Sequence, residues 1–151
     1  YCDAYFKFFH VSMRPRNNTS TPAIIIEKMT KDLNIPIKVK VMPIIREKDG
    51  LALSSRNAYL NNLERREALV LHQALKLARE LIKVGQRNSS LIISKMRALI
   101  KQKKTARIEY ISIVGLRDLK PVKRIRNKIL IALAVYFGRT RLIDNLIIKI
   151  N

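Results

Sequence analysis

The spacing of hydrophobic residues changes partway along the chain and divides it into two parts. In the first part, Thr21 and Pro22 are the residue types of a helix N-cap and first helical position. They predict a helix over residues 23–33 that Asn34 ends. Apolar and basic residues then alternate over residues 37–45, IKVKVMPII, with the period of two that is typical of a strand. A helix followed by a strand indicates the last part of an αβ unit with a parallel sheet.

In the second part, the pattern predicts two amphipathic helices. Asn61 or Asn62 can cap the first, with Glu64 in its first turn, where a negative charge suits the helix dipole. Gly85 ends it. Its apolar positions recur at intervals of three and four: Ala68, Leu71, Leu75, Ala78 and Ile82. The second helix is expected to begin near Ser90, and its buried positions are Ile92, Met96, Leu99 and Ile100.

Three apolar runs follow the helices and predict strands. They cover residues 107–115, 127–138 and 140–150. The middle run, NKILIALAVYFG, is apolar enough to be buried on both faces. Two helices followed by three strands predict an α+β module, most simply an antiparallel sheet covered by helices.

The charge of the chain is strongly unbalanced. It has 31 lysines and arginines against 11 acidic residues, a net charge of +20. Such a field attracts polyanions, so a basic nucleic-acid-binding module is one hypothesis. The basic runs at residues 101–104 and 120–128 contain no aromatic residue that would stack on bases. A solvated basic surface is therefore the favoured explanation, and nucleic acid is not expected as a partner.

Cysteine content and hydropathy bear on the compartment. The single cysteine, Cys2, cannot form a disulfide within the chain, which fits a reducing compartment. No apolar run reaches 18 residues, so the sequence predicts no transmembrane helix. The first residues, YCDAYF, have neither a starting Met nor the layout of a signal peptide, and they read like a segment of something longer.

The densest polar chemistry lies in the segment REKDGLALSSRNAYL, where Ser54, Ser55 and Arg56 follow a turn at Asp49 and Gly50. Hydroxyls and backbone amides hydrogen-bond phosphate oxygens, and a guanidinium binds them with two donors. A loop after a strand of an open α/β sheet lies where nucleotides bind. The cluster is therefore a candidate for holding a triphosphate. The alternative is a turn plus a helix cap, which serine-rich stretches commonly form.

The remaining polar residues suggest structural roles. His72 lies among apolar residues of a predicted helix and is expected to be a satisfied core or boundary histidine. Asp49 is expected to make the turn with Gly50, and Asp144 to bond or pair locally within its strand. No Cys/His cluster has metal-ligand spacing, and no glycine-rich phosphate loop of the Walker or Rossmann form occurs, so no metal site is assigned.

Two stretches resemble the pantothenate synthetase family, the ligases that condense pantoate with β-alanine using ATP. MPIIREKDGLALSSRNAYLNNLERREA is similar to the family motif V-P-x-x-R-x-x-D-G-L-A-x-S-S-R-N-x-Y-L, with Met42 in place of the usual Val. YFGRTRLIDN resembles the closing motif G-x-x-R-L-I-D-N. EKMTKDLNIPI and DAYF resemble the helix before the strand and the entry to the ATP loop. The likeness covers about residues 22–151 in continuous register.

The resemblance implies a fold in two parts. Residues 1–56 would be an α/β remnant of a Rossmann-like nucleotidyltransferase domain, and residues 57–151 a small α+β lid domain of helices plus a three-stranded antiparallel sheet. It also implies a cytoplasmic homodimer.

The resemblance implies a reaction as well. The family forms pantoyl-adenylate from ATP and pantoate, releases pyrophosphate, and lets β-alanine attack the acyl group to give pantothenate and AMP. Mg²⁺ accompanies the ATP. Catalytic residues are not assigned. The implied ATP-binding residues are Ile45, toward the adenine, and Leu53, Ser54, Ser55 and Arg56.

The chain departs from the family pattern at its N-terminal end. The first half of the family's N-terminal domain is absent, with its His-containing ATP signature and its pantoate-binding glutamine. The family loop G-E-K-D-x-Q-Q is not recognisable in residues 7–21, where an insertion and a frameshift are both open, and Lys7 is no substitute for its lysine. A truncated ligase that is inactive alone is therefore expected, with a non-catalytic relic or a nucleic-acid-binding module as alternatives.

Overall fold

The computed structural model describes residues 44–150, together with Met29 and residues 32–34. Within residues 44–150, a short 3₁₀ helix is followed by three α-helices and three strands. Their bounds are Ser55–Tyr59 for the 3₁₀ helix, Asn62–Glu67 (α1), Val70–Lys83 (α2), Ser89–Lys101 (α3), Ala106–Gly115 (β1), Lys128–Phe137 (β2) and Thr140–Lys149 (β3).

The three strands form one antiparallel sheet in the order β1-β2-β3. Phe137 pairs with Thr140, so β2 and β3 are joined by the two-residue turn Gly138–Arg139. On the other side of β2, the register to β1 shifts between Ile108 and Tyr110, which makes Glu109 a bulge residue. The predicted α+β module with a three-stranded antiparallel sheet is thereby confirmed.

The core lies between the sheet and the helices α2 and α3. Alternate residues of β2 pack against them, together with buried residues of both helices. These β2 residues are Ile129, Ile131, Leu133, Val135 and Phe137. On the opposite face of the sheet, Leu130 and Ala132 form a smaller cluster with Val114. The prediction that β2 is buried on both faces is confirmed.

The prediction of one continuous helix from a cap at Asn61 or Asn62 to its end at Gly85 is wrong, because the structure divides it between Glu67 and Val70. Ala68, Val70 and Leu71 are all buried. In a straight helix the first two of these would lie on opposite sides, and the bend allows all three to reach the core.

The predicted ends of the helical region are confirmed. Asn61 caps α1: its Oδ1 accepts from the N–H groups of Leu63 and Glu64, and Glu64 Oε2 accepts from the Asn61 N–H in a capping box. At the other end, Gly85 has φ +92° and follows the last turn of α2. Its N–H donates to the carbonyl of Ile82 at 3.1 Å, as in a C-terminal glycine motif.

Only a small part of the first predicted helix and strand falls in the described residues. Met29 and Asp32 are helical, and Asn34 has φ +50°, which agrees with a helix ending there. The strand predicted over residues 37–45 lies outside the described residues except for Ile44 and Ile45, which are not in a strand. The parallel sheet, the Rossmann-like fold and the domain boundary after residue 56 stay predictions.

No helix in the described residues is both long enough and apolar enough to cross a lipid bilayer.

Candidate functional site

The serine–serine–arginine cluster directly follows a short β-hairpin of residues 45–53. The N–H of Leu53 donates to the carbonyl of Ile45 at 2.9 Å, and the N–H of Glu47 donates to that of Leu51 at 2.8 Å. Gly50, with φ +96°, closes a three-residue loop. The open end of the hairpin therefore presents Ile45 and Leu53 side by side, and both side chains are exposed.

A two-pronged ion pair joins this hairpin to β3. Arg46 Nη1 lies 2.7 Å from Asp144 Oδ2, and Nη2 lies 3.0 Å from Oδ1. Arg46 Nη1 also donates to the carbonyl of Gly50 at 3.0 Å. Asp144 is 3% exposed, on the same face of β3 as the buried Leu142.

The prediction that Asp144 bonds or pairs locally is correct only for one hydrogen bond, which its carboxylate accepts from the N–H of Asn145 at 2.7 Å. The prediction of a local ion pair is wrong. Strand alternation places this carboxylate on the face toward the helices, where it needs a cationic partner. The hairpin supplies that partner, Arg46, from a distant part of the chain.

A second set of polar contacts joins the hairpin to α1 and the 3₁₀ helix. Arg65 Nη2 lies 2.7 Å from Glu47 Oε2 and from Asp49 Oδ2. Asn57 Nδ2 donates to Glu47 Oε1 at 2.6 Å. The hydrogen bond from Asn57, followed by that from Arg65, lowers the pKa of Glu47, and the hydrogen bond from Arg65 lowers the pKa of Asp49. The turn role predicted for Asp49 is confirmed, because its Oδ1 accepts from the N–H of Leu51 at 3.3 Å.

His72 lies under the hairpin loop. A Cβ atom built on Gly50 would be 2.6 Å from His72 Cδ2, so only glycine leaves room for the imidazole. His72 is half-buried, as expected of a boundary residue, but the prediction that it is satisfied is wrong. Its Nδ1 is buried and has no hydrogen-bond partner among the described residues.

The environment of His72 makes stability depend on pH. Burial, and then the positive charge of Arg46, lower the pKa of His72 below its ordinary 6.5, against the attraction of Asp144. Below pH 6.5 the unfolded chain therefore binds a proton more readily than the folded chain. The free energy of unfolding consequently decreases as the pH is lowered. We expect the melting temperature to drop between pH 7.5 and 5.5, and to drop less in His72→Gln.

Thermal unfolding followed by circular dichroism at several pH values checks this expectation. The glutamate and aspartate pKa values that the fold lowers, those of Glu47, Asp49 and Glu67, start from 4.5 or below. These carboxylates therefore change the free energy of unfolding only at a lower pH than His72 does. An equal drop in both proteins above pH 5.5 would show that His72 is not the titrating group.

Arg56 opens onto a shallow cleft between the 3₁₀ helix and the turn that joins β2 to β3. The cleft has a volume of about 410 Å³ and is lined by Arg56, Tyr59, Arg139, Thr140 and Arg141. Arg56 Nη1 donates to the carbonyl of Arg141 at 3.2 Å, which holds the two walls together.

The three arginines of this cleft differ in how their charges are compensated. Arg141 Nε lies 2.5 Å from Glu109 Oε2 in an ion pair. Although burial disfavours its charged form, the hydrogen bond with Glu109 raises the pKa of Arg141. Arg56 and Arg139 have no carboxylate partner among the described residues. Burial, and then the charge of Arg141, lower the pKa of Arg56. The cleft therefore carries excess positive charge and is suited to an anion.

The two serines beside Arg56 have different environments. Ser54 caps the 3₁₀ helix, and its Oγ accepts from the N–H of Arg56 at 3.2 Å. The alternative interpretation of the loop, a turn plus a helix cap, is therefore correct for Ser54, whose hydroxyl hydrogen can still donate. Ser55 is exposed.

Sequence reasoning missed the other wall of the cleft. Arg139 and Thr140 carried no signal beyond a basic residue next to Gly138.

Among the residues that the structure describes, no group of three or more His, Cys, Asp or Glu side chains could hold a metal ion.

Comparison with known proteins relates the chain to one family. The sequence model of pantoate-beta-alanine ligase matches residues 19–147. The chain is 53% identical over 127 residues to the pantothenate synthetase of Syntrophomonas wolfei, and this alignment covers 84% of this chain and 45% of that protein. It is 43% identical over 154 residues to the pantothenate synthetase of Clostridium botulinum strain Loch Maree, and this alignment covers 99% of this chain and 54% of that protein.

A solved structure agrees with these matches. The crystal structure of pantothenate synthetase from Thermus thermophilus superimposes with a TM-score of 0.77 at 34% identity, over 82% of this chain and 45% of that one. The chain thus spans about half the length of the curated relatives it matches.

Proposed function

The chain belongs to the pantoate–β-alanine ligase family, and from that membership we propose that its hairpin and following loop bind the phosphates of ATP. Pantoate and β-alanine would be the substrates of the complete ligase. The ligase would form pantoyl-adenylate, release pyrophosphate and pass the acyl group to β-alanine. The homodimer and the cytoplasmic location stay predictions.

The observation that carries the proposal is the position of Arg56. Its guanidinium lines an open, positively charged cleft and, among the described residues, makes one hydrogen bond, to the carbonyl of Arg141. Four of its five N–H donors remain for a ligand. A guanidinium binds two phosphate oxygens at once with charge-assisted hydrogen bonds.

The serines would supply further donors on the same loop. The Ser55 side chain is exposed, and the Ser54 hydroxyl accepts one hydrogen bond and keeps its hydrogen for a phosphate oxygen. Together with Arg56 they would stabilise the negative charge that develops on the departing pyrophosphate. Ile45 and Leu53, exposed at the open end of the hairpin, would provide apolar contacts to the adenine.

The hairpin contacts would keep this loop in place. Arg46 joins the hairpin to β3, and Arg65 joins it to α1. A loop that is anchored on two sides loses little conformational entropy on binding, which favours affinity. Mg²⁺ would accompany ATP, held by the phosphate oxygens.

Replacing Arg56 tests the proposal. We expect Arg56→Gln to weaken ATP binding to the 151-residue chain by about tenfold or more, because a charge-assisted contact to phosphate is lost. The matched control is Arg97→Gln, on an exposed position of α3, which also removes one positive charge. Isothermal titration calorimetry at about 150 mM salt, near physiological ionic strength, measures both affinities.

Activity gives a second readout of the same variants. With the N-terminal half of the Syntrophomonas wolfei enzyme co-expressed, pantothenate formation should fall in Arg56→Gln and not in Arg97→Gln. Equal ATP affinities in all three chains, or equal losses in both variants, would contradict a phosphate site at Arg56.

A further inference from the structure

We propose that the turn between β2 and β3 is a second arm of the phosphate site, in which Arg139 and Thr140 bind the distal phosphates of a polyphosphate chain opposite Arg56. The identification of that chain as the tail of ATP rests on the proposed function. The anion-binding arm itself rests on the geometry of the cleft.

The turn holds Arg139 in a defined position. Gly138 is the first residue of a two-residue hairpin loop and has φ +54°, while Arg139 has negative φ, the arrangement of a type II′ turn. The N–H of Gly138 donates to the carbonyl of Thr105 at 3.2 Å. The carboxylate of Glu64 lies directly against Gly138, leaving no room for a Cβ atom. Sheet register and α1 together therefore determine where the backbone of Arg139 lies.

One of the three arginines of the cleft is paired with a carboxylate, and the other two are available to a ligand. Arg141 is neutralised by Glu109 and offers its carbonyl to Arg56. Arg139 has no ion pair among the described residues, and neither does Arg56. Arg56 and Arg139 thus line the same cleft from the 3₁₀ helix and from the turn, and neither has a carboxylate partner among the described residues, so a polyanion bound between them would supply the missing negative charge.

The lining of this shallow cleft suits a small polyphosphate. The Thr140 hydroxyl lines it and has no hydrogen-bond partner among the described residues. Tyr59 borders it and is 75% exposed. Phosphate oxygens would accept from the hydroxyl and from both guanidiniums.

The test measures binding of inorganic triphosphate, ATP and AMP to the whole chain by isothermal titration calorimetry, at the same salt concentration as above. Arg139→Gln is expected to weaken binding of both triphosphate and ATP by about tenfold, since one charge-assisted contact is lost. AMP, which has no distal phosphate, should change less than twofold. Thr140→Val should weaken triphosphate binding about threefold, as expected for a neutral hydroxyl donor. Circular dichroism verifies that each variant is folded.

The control variants separate this inference from the proposed function. Arg97→Gln should leave all three affinities within twofold of the wild-type values. If Arg139→Gln behaves like Arg97→Gln, or if the wild-type chain does not bind triphosphate, the second arm is overturned. The phosphate role of Arg56 then stands or falls by Arg56→Gln with ATP alone. If Arg139→Gln weakens triphosphate binding while ATP binds no better than triphosphate and Arg56→Gln has no effect, the arm stands and the ATP proposal fails.

Discussion

Replacing Asp144 with alanine is expected to lower the free energy of unfolding by about 3 kcal/mol, because it leaves a largely buried guanidinium without its counter-charge. The Asp144 side chain is 1% exposed and that of Arg46 23%. Both carboxylate oxygens accept from Arg46, so the change removes two charge-assisted hydrogen bonds at once. Urea unfolding followed by circular dichroism measures the loss.

Two further variants interpret that loss. Glu80→Gln removes the carboxylate of an exposed ion pair with Lys83 and should cost less than about 0.5 kcal/mol. The double variant Arg46→Met with Asp144→Leu removes both charges and should recover most of the stability, since an apolar pair costs no desolvation. If Asp144→Ala were no more destabilising than Glu80→Gln, the ion pair would not anchor the hairpin.

Replacing Gly50 with alanine is expected to destabilise the chain by about 2–3 kcal/mol, from backbone strain of about 1–2 kcal/mol at positive φ and from a steric clash. The clash is with His72, whose Cδ2 would lie 2.6 Å from the new Cβ. Gly85→Ala is the matched control, because Gly85 has nearly the same φ, +92° against +96°, and no atom within 4 Å of a built Cβ.

The difference between the two alanine variants isolates the contact with His72. The double variant Gly50→Ala with His72→Ala should remove the clash, so that the cost of Gly50→Ala is smaller with alanine at position 72 than with histidine there. Urea unfolding of all four chains gives the coupling free energy. Equal costs of Gly50→Ala and Gly85→Ala would mean that His72 does not support the loop.

Local elements of the second part could be predicted closely from the sequence. A period of two or a continuous apolar run marks each strand, and β2 is buried on both faces as its composition indicates. The cap at Asn61 and the helix end at Gly85 each depend on hydrogen bonds between residues only two or three positions apart. Both could therefore be predicted from the sequence. The break in the helix after Glu67 could not be predicted in this way. Three closely spaced residues there are all buried, although a straight helix would not place them all on the same side.

The candidate site was only half predictable. The loop of Ser54, Ser55 and Arg56 is contiguous, so residue types and motif were sufficient to propose it. The Arg139 wall and the Arg46–Asp144 pair join residues that are far apart in sequence.

The sequence by itself thus determined the three strands of the second part, most of its helix ends and the contiguous loop, since those depend on neighbours within a few residues. Only the tertiary structure decided which charge neutralises Asp144, where His72 packs and what faces Arg56. Those contacts depend on sheet register and on the way the hairpin docks against β3, which no local pattern of residues encodes.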